Sequence, residues 1–488
     1  MSTPIGLNVV KLLSGRVIAQ MLGFLTMPIL TRLFLPEHFG MIQIFDSIWM
    51  IITPIACLKY ELSIPLARDN NEALASLVLS VLITVTVTLL TLAIVATGRR
   101  SVAAWFNAVE LQKLLWFLPV IVGAVGLRNA FGYWASREEA FGAIAWSELS
   151  NAAINKLLAI LWGVFIGVSV KGLFVGELCG VGVSLVVLLR LLKRKLVAQA
   201  SNIRLSVASL WMVAQRHKKF PIFSTWGVFL NAISVQLPSL LLGAYFSPAV
   251  VGYYSLGYRI ISFPMTVLRN SIAQVFFPAA AKEYHETGSL ANVTIRFFTR
   301  LVQINVFPMV VVSLFGPSLF HVVFGQQWTE AGEYAQILSG WLVIAFINSP
   351  LQVFDIVNRQ EAGFVMNIVI IAGRTIGLLI GVTFGTPKVA LSIFVAISVC
   401  CLLGSTVWKL KVARVPLLRP FQTIGQYLAI SCLLLFPVKL LLWAVDDVGY
   451  VLGALGVATL LYGVILLKID RSFRQFIRMM LARIGVNW

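Results

Sequence analysis

Charge is what this sequence has least of. Only 12% of its 488 residues are Asp, Glu, Lys or Arg, whereas soluble domains average about 25%. The polar gaps between its apolar runs are too short to hold a folded soluble domain. An ordinary soluble fold is thereby excluded. Acidic residues are scarcer still, 19 against 38 basic ones. The five cysteines, Cys57, Cys179, Cys400, Cys401 and Cys432, are scattered through apolar runs. They lack metal-ligand spacing and cannot form a disulfide framework, so they read as small packing residues. The four histidines, His38, His217, His285 and His321, fall at turns or loops without ligand spacing, so no metal site is expected. Neither a phosphate-cradling Gly loop, a catalytic carboxylate pair nor a nucleophile motif is present, so no catalytic residue and no cofactor is expected.

What fills the chain instead is apolar sequence, 59% of all residues. With about 20 residues needed per crossing, helices are expected near 9–34, 40–66, 73–97, 114–134, 143–168 and 172–192. A second series follows near 220–246, 250–280, 297–317, 333–358, 364–384 and 388–408, and a last pair near 427–445 and 449–467. The run at 250–280 is long enough to tilt, or to break at Pro264. No cleavable leader is evident, because the first apolar run begins near Leu7, carries Lys11 and Arg16 and continues past Phe34.

Lys and Arg orient these spans. With the N-terminus inside, the inner loops collect Arg68, Arg137, the cluster from Lys193 to Lys219, Arg359, Lys409, Lys411 and the tail from Lys468 to Arg483. The outer loops hold only Arg99, Arg100, Lys113, Lys171 and Lys388. This asymmetry predicts that both termini are cytoplasmic. It also accounts for most of the +19 net charge through contact with anionic membrane lipids, without a nucleic-acid partner. The tail from Arg471 to Trp488 sets Phe473, Phe476 and Ile477 against Arg474 and Arg478, the pattern of a basic amphipathic helix on the inner leaflet.

The chain also echoes itself. Pro36 and Gly40 stand four apart between the first two spans, and Pro248 and Gly252 do the same between the seventh and eighth. A weaker echo joins the turns at Gly167–Lys171 and Gly385–Lys388. These spacings predict a parallel repeat: a six-helix lobe at 1–192, a basic cytoplasmic linker at 193–219, a second lobe at 220–408, and two added helices with the basic tail at 409–488.

Ionisable residues inside spans cost about 2.5–3.5 kcal/mol each at the bilayer centre, so those kept there face a cavity or a partner. The cationic candidates are Arg16, Lys59, Arg128 and Lys156 in the first series, and Arg259, Arg269, Arg374 and Lys439 later. Helical spacing places Glu148, Asn151 and Asn155 on one face and Asn367 with Arg374 on another. Arginine forks grip phosphate oxygens and asparagines serve sugar hydroxyls, so these residues are candidate contacts for a ligand with phosphate and many hydroxyls. Glu61, Glu148, Glu177 and Asp355 are candidates for coupling a proton or sodium ion, while Lys59 and Glu61 also admit a purely structural ion pair. A cationic drug would be repelled by such a lining.

The opening Leu13-Ser14-Gly15-Arg16-Val17-Ile18-Ala19-Gln20-Met21-Leu22-Gly23-Phe24, followed by Pro28-Ile29-Leu30-Thr31-Arg32-Leu33-Phe34-Leu35-Pro36-Glu37-His38-Phe39-Gly40, resembles the start of bacterial polysaccharide and O-antigen flippases. Their superfamily also holds multidrug-and-toxin extruders and lipid II flippases. The resemblance implies an all-α polytopic protein of the bacterial inner membrane, with about 14 helices in two MATE-like six-helix lobes plus two more. It implies alternating-access export of undecaprenyl-pyrophosphate-linked oligosaccharide, alongside polysaccharide polymerase machinery. By likeness to the lipid II flippases the last two helices would form an apolar groove for the polyprenyl tail, which Lys439 interrupts where a phosphate could be met; the alternative is that the pair pads the bundle or supports a dimer. The alternatives are a lipid II-type flippase or a multidrug extruder, and, from another class, a membrane polysaccharide polymerase.

Overall fold

The computed structural model describes residues 15, 17–200, 206–444 and 448–469. Arg16 and the tail after Ile469 lie outside the described residues, as do the side chains of Arg269 and Asn270. Among the described residues the regular structure is helical throughout. The chain is divided into two compact units, Met1–Ser255 and Leu256–Trp488.

The first unit holds α1 (Val17–Leu33), α2 (Pro36–Ile52), α3 (Asn70–Trp105), α4 (Val109–Leu114), α5 (Leu118–Arg137), α6 (Phe141–Phe165), α7 (Val170–Ala200), α8 (Val207–Arg216) and α9 (Thr225–Tyr245). It ends within α10 (Pro248–Thr287). The second unit continues through α11 (Ala291–Phe324), α12 (Thr329–Asn348), the single turn α13 (Val353–Ile356), α14 (Gln360–Val382), α15 (Pro387–Val412), α16 (Leu418–Ala444) and α17 (Val448–Ile469). Among the described residues, 11 helical segments are long and apolar enough to cross a membrane. The shorter apolar α1 and the long helices α6 and α10 bring the count to the expected fourteen. Glu148, Asn151 and Lys156 dilute the hydropathy of α6, and Arg259 and Arg269 that of α10.

The internal repeat is visible in the packing. In the first unit α3 lies along α5, α6 along α7, and α5 against α7. In the second, α11 lies along α12, α14 along α15, and α12 against α15. The turns that echoed each other in sequence match as well: Gly167 (φ +133°) and Gly385 (φ +78°) each precede a helix with a backbone that side chains disfavour.

The two Pro/Gly turns do more than resemble each other; they touch. A Cβ on Gly40 would lie 1.6 Å from the Pro248 carbonyl oxygen, and one on Gly252 would lie 1.9 Å from that of Pro36. The starts of α2 and α10 therefore cross backbone to backbone, at a separation only glycine permits. That contact explains why the first unit reaches past α9 into α10.

Two helices end earlier than their apolar runs. α2 stops at Ile52, and the chain continues through the 3₁₀ turns Thr53–Ile55 and Tyr60–Ser63, with Leu58 (φ 47°) and Lys59 (φ 62°) both left-handed between them. α12 stops at Asn348: Ser349 still has helical backbone and donates to the Ala345 carbonyl, but Pro350 has no N–H to continue the ladder. By contrast α10 runs unbroken through Pro264 and Pro278, so of the two alternatives for this run the break at Pro264 is not taken.

Candidate functional site

One end of the first unit is an irregular segment pinned by cations. Arg137 donates to the carbonyls of Ile64 at 3.2 Å, Ala67 at 2.8 Å and Asp69 at 3.3 Å. Tyr60 Oη donates to the Ala214 carbonyl at 3.1 Å, and Glu72 meets Arg216 at 2.9 Å and His217 at 3.3 Å. Within this segment Lys59 and Glu61 pair at 3.4 Å, with Glu61 only 2% exposed. One Glu61 carboxylate oxygen, Oε2, has no hydrogen-bond partner. Burial pushes the carboxyl above its ordinary value of 4.5, against the opposing pull of Lys59. The neighbouring Cys57 thiol is pushed up to about 12 by burial and by Glu61. It packs inertly, 3.2 Å from Thr84 Oγ1 and 3.3 Å from the Gly126 carbonyl.

The sign of the Glu61 effect is testable. A carboxyl raised in the folded chain binds its proton more tightly there, so its contribution to stability is greatest below pH 4.5 and declines as pH rises towards the raised value. Glu61→Gln should remove that decline. Thermal unfolding of the detergent-purified protein should show the variant gaining on the parent as pH climbs from about 4.5 to 7. Parallel curves would show that the Lys59 pair already cancels the burial cost.

Asn151 and Asn155 prove to line a helix seam. Asn155 Nδ2 donates to Glu177 on α7, and Ser147 Oγ donates to the Ser184 carbonyl at 2.8 Å. Gly176 and Gly180 allow this approach: a Cβ on Gly180 would sit 2.7 Å from Asn151 Oδ1, and one on Gly176 would sit 2.4 Å from the Asn155 carbonyl oxygen. Gly182 borders open space and takes no part. Arg128, Glu148 and Lys156 are half-buried and engaged with neighbours.

In the second unit Arg374 of α14 lies over the Trp341 ring, 4.9 Å from its centroid. Tyr258 stacks on the same indole at 5.8 Å and 13°. Phe394 meets it edge-on at 5.7 Å. The guanidinium is thus fixed by a cation–π contact and an aromatic cluster rather than left to wander. Arg259, next to Tyr258, is solvent-accessible and also engaged with neighbours. Asn367, although on the same helix as Arg374, lines a cavity together with Asp355 instead.

Lys439 on α16 is turned into the protein, donating to the Leu314 carbonyl at 2.9 Å and lying 5.6 Å from the Phe315 ring. α16 nonetheless keeps Leu433, Phe436 and Leu440 exposed along its length. Sequence reading missed the group that ties the last two helices to α11. Arg300 donates to Gln303 Oε1 at 2.6 Å, Gln303 Nε2 donates to Tyr427, and Tyr462 donates to the Gln303 carbonyl at 2.7 Å. It also missed Lys409, counted as an inner-loop charge. Its ammonium donates to the Asn348 carbonyl at 2.8 Å and to Asn348 Oδ1 at 3.1 Å.

Comparison with known proteins places this arrangement. A family model described as "Polysaccharide biosynthesis protein" matches residues 29–333, more than half of the chain. The chain belongs to the polysaccharide biosynthesis protein family. It is 27% identical over 184 residues to the lipopolysaccharide biosynthesis protein WzxC of Escherichia coli K12, covering 34% of this chain and 36% of that one. It is 22% identical over 133 residues to the teichuronic acid biosynthesis protein TuaB of Bacillus subtilis 168, covering 27% of each. The chain thus spans about a third of the length of these curated relatives. In fold this family member is similar to the lipid II flippase MurJ in an inward closed conformation, with TM-score 0.72 and 12% identity over 96% of this chain and 100% of that one. An inward-facing multidrug-resistance MATE transporter of the MOP superfamily matches with TM-score 0.58 and 14% identity, over 81% of this chain and 95% of that one. In fold the chain is therefore similar to both of these transporters.

Proposed function

We propose that this polysaccharide biosynthesis protein is a flippase. It carries an undecaprenyl-pyrophosphate-linked oligosaccharide from the cytoplasmic to the periplasmic leaflet of the bacterial inner membrane by alternating access, with 1–192 and 220–408 as the moving lobes. The observation that carries the reading is Arg374, an arginine held against Trp341 inside an apolar 23-residue helix. A cation kept inside such a helix is, in this reading, a mark of the substrate path. In this reading the arginines Arg16, Arg128, Arg259, Arg269 and Arg374 receive the pyrophosphate and any acidic sugars. The names of the polysaccharide-pathway relatives and the MurJ-like fold support it.

An inside-negative potential assists a head group of two negative charges outward, by about 2.3 kcal/mol per charge per 100 mV, so export needs no nucleotide. Glu61, with its unpartnered oxygen, is the best-placed of the acidic candidates for a coupled proton. A multidrug extruder of the same fold would move a cationic dye, which arginines along the path would repel. Scrambling of a fluorescent lipid-linked oligosaccharide in proteoliposomes, set against dye efflux, separates the two.

A further inference from the structure

The break in the tenth span opens a cavity of about 360 Å³ lying wholly within the second unit. It sits where α12 ends, α13 makes its single turn, α14 begins and α15 carries Ser405 and Lys409. Its volume is at the low end of the about 300–1,000 Å³ typical of small-molecule sites. Its polar lining includes Asn348, Gln352, Asp355, Gln360, Asn367 and Lys409, and Phe354 is among its apolar lining.

Three features define what such a cavity takes. Its frame is built rather than incidental: Asn348 Nδ2 donates to Ser405 Oγ at 3.1 Å and to Thr406 Oγ1 at 2.9 Å, while Lys409 holds the Asn348 carbonyl and Oδ1. The Phe354 ring is fixed edge-on against Trp408 at 5.2 Å. Its charge is balanced, one ammonium against one carboxylate, and no arginine lines it. A diphosphate therefore meets a lining without net positive charge, whose one ammonium already donates to Asn348. Its accessible groups are the amides of Gln352, Gln360 and Asn367 and the Asp355 carboxylate. Side-chain amides donate and accept side by side, as vicinal hydroxyls do, and a carboxylate accepts from two hydroxyls at once. An aromatic ring covers the C–H face of a sugar.

We infer that this cavity is a recognition site for one or two neutral sugar residues of the transported oligosaccharide, apart from the arginines that take its pyrophosphate. The inference deepens the flippase reading and rests on it for the origin of the sugar. The break after Asn348 is then functional: a continuous helix would carry Gln352 and Asp355 onward along α12 instead of folding them over α14.

Binding and transport test it separately. Saturation-transfer NMR on the purified full-length protein should detect neutral di- and trisaccharides, undisplaced by inorganic pyrophosphate. Affinity should fall about tenfold in Asn367→Ala and in Gln352→Ala, the loss of one good hydrogen bond, and should persist in Arg374→Ala. Both substituted positions are exposed, so folding should be preserved, which a size-exclusion profile of each variant would check. In proteoliposomes the same two variants should lose flipping of a lipid-linked trisaccharide while keeping that of the lipid-linked monosaccharide. Equal loss for both lipids, or saccharide binding indifferent to Asn367 and Gln352, overturns the site. Flipping by the parent protein without any saccharide binding also overturns the site and leaves the flippase reading intact. Saccharide binding that depends on Asn367, in a protein that moves no lipid-linked sugar, does the reverse.

Discussion

Gly40→Leu is expected to cut polysaccharide export at least tenfold while leaving the protein in the membrane at its normal level. The reason is geometric. The Gly40 Cβ position lies 1.6 Å from a backbone oxygen of Pro248, and a backbone cannot step aside as a flexible side chain can. The reciprocal position at Gly252 is as tight against Pro36. Any side chain at either place holds the starts of α2 and α10 apart. Overpacking of this kind costs about 1–3 kcal/mol, which shifts a two-state equilibrium by roughly 5- to 150-fold away from the form in which these turns meet. An alternating-access carrier must pass through both forms, so biasing the equilibrium that far stalls the cycle. Gly252→Leu should behave alike. Gly227→Ala, with open space at its Cβ position, should export normally. Surface polysaccharide and membrane protein level, measured together, decide it; full export by Gly40→Leu would show that the contact is dispensable.

Arg259→Ala and Arg374→Ala should each abolish export in protein that still reaches the membrane. A charge-assisted contact to phosphate is worth about 1.5–3 kcal/mol, so each loss corresponds to roughly tenfold to 150-fold in substrate capture. Arg374→Lys should fail as well. The planar guanidinium lies over Trp341 at 4.9 Å and presents a fork, whereas an ammonium is a point charge on a flexible stem. Complementation of a strain lacking the gene, with membrane levels checked by immunoblot, reads all three. If both alanine variants retained full export, the arginines would not be the anion contacts.

The number of crossings was legible because a bilayer asks only for length and apolarity, and both are written into consecutive residues. The repeat was legible because its turns need Pro and Gly at fixed places; that Pro36–Gly40 and Pro248–Gly252 would touch was not. Left-handed backbone at Leu58 and Lys59 left no trace in the sequence, since neither residue type favours it. Asn151 and Asn155 could be put on one face of α6, but not which neighbour that face meets. Their partner turned out to be α7 and its Glu177. Spacing grouped Asn367 with Arg374, yet the structure sends one to a cavity and the other to Trp341. Gln303 lies 124 and 159 positions from Tyr427 and Tyr462, and no local pattern joins residues so far apart. Lys409 looked like a loop charge because α15 runs on to Val412, past the end of its apolar run.

The central claim is that this chain moves an anionic, sugar-bearing lipid head group across the bilayer. Purified protein in liposomes, given a fluorescent undecaprenyl-pyrophosphate-linked oligosaccharide in one leaflet, should deliver it to the other many times faster than protein-free liposomes do, and faster still with the receiving side positive. The same vesicles should not release a cationic dye above the leak of empty liposomes. Dye efflux without movement of the lipid-linked sugar would contradict the account.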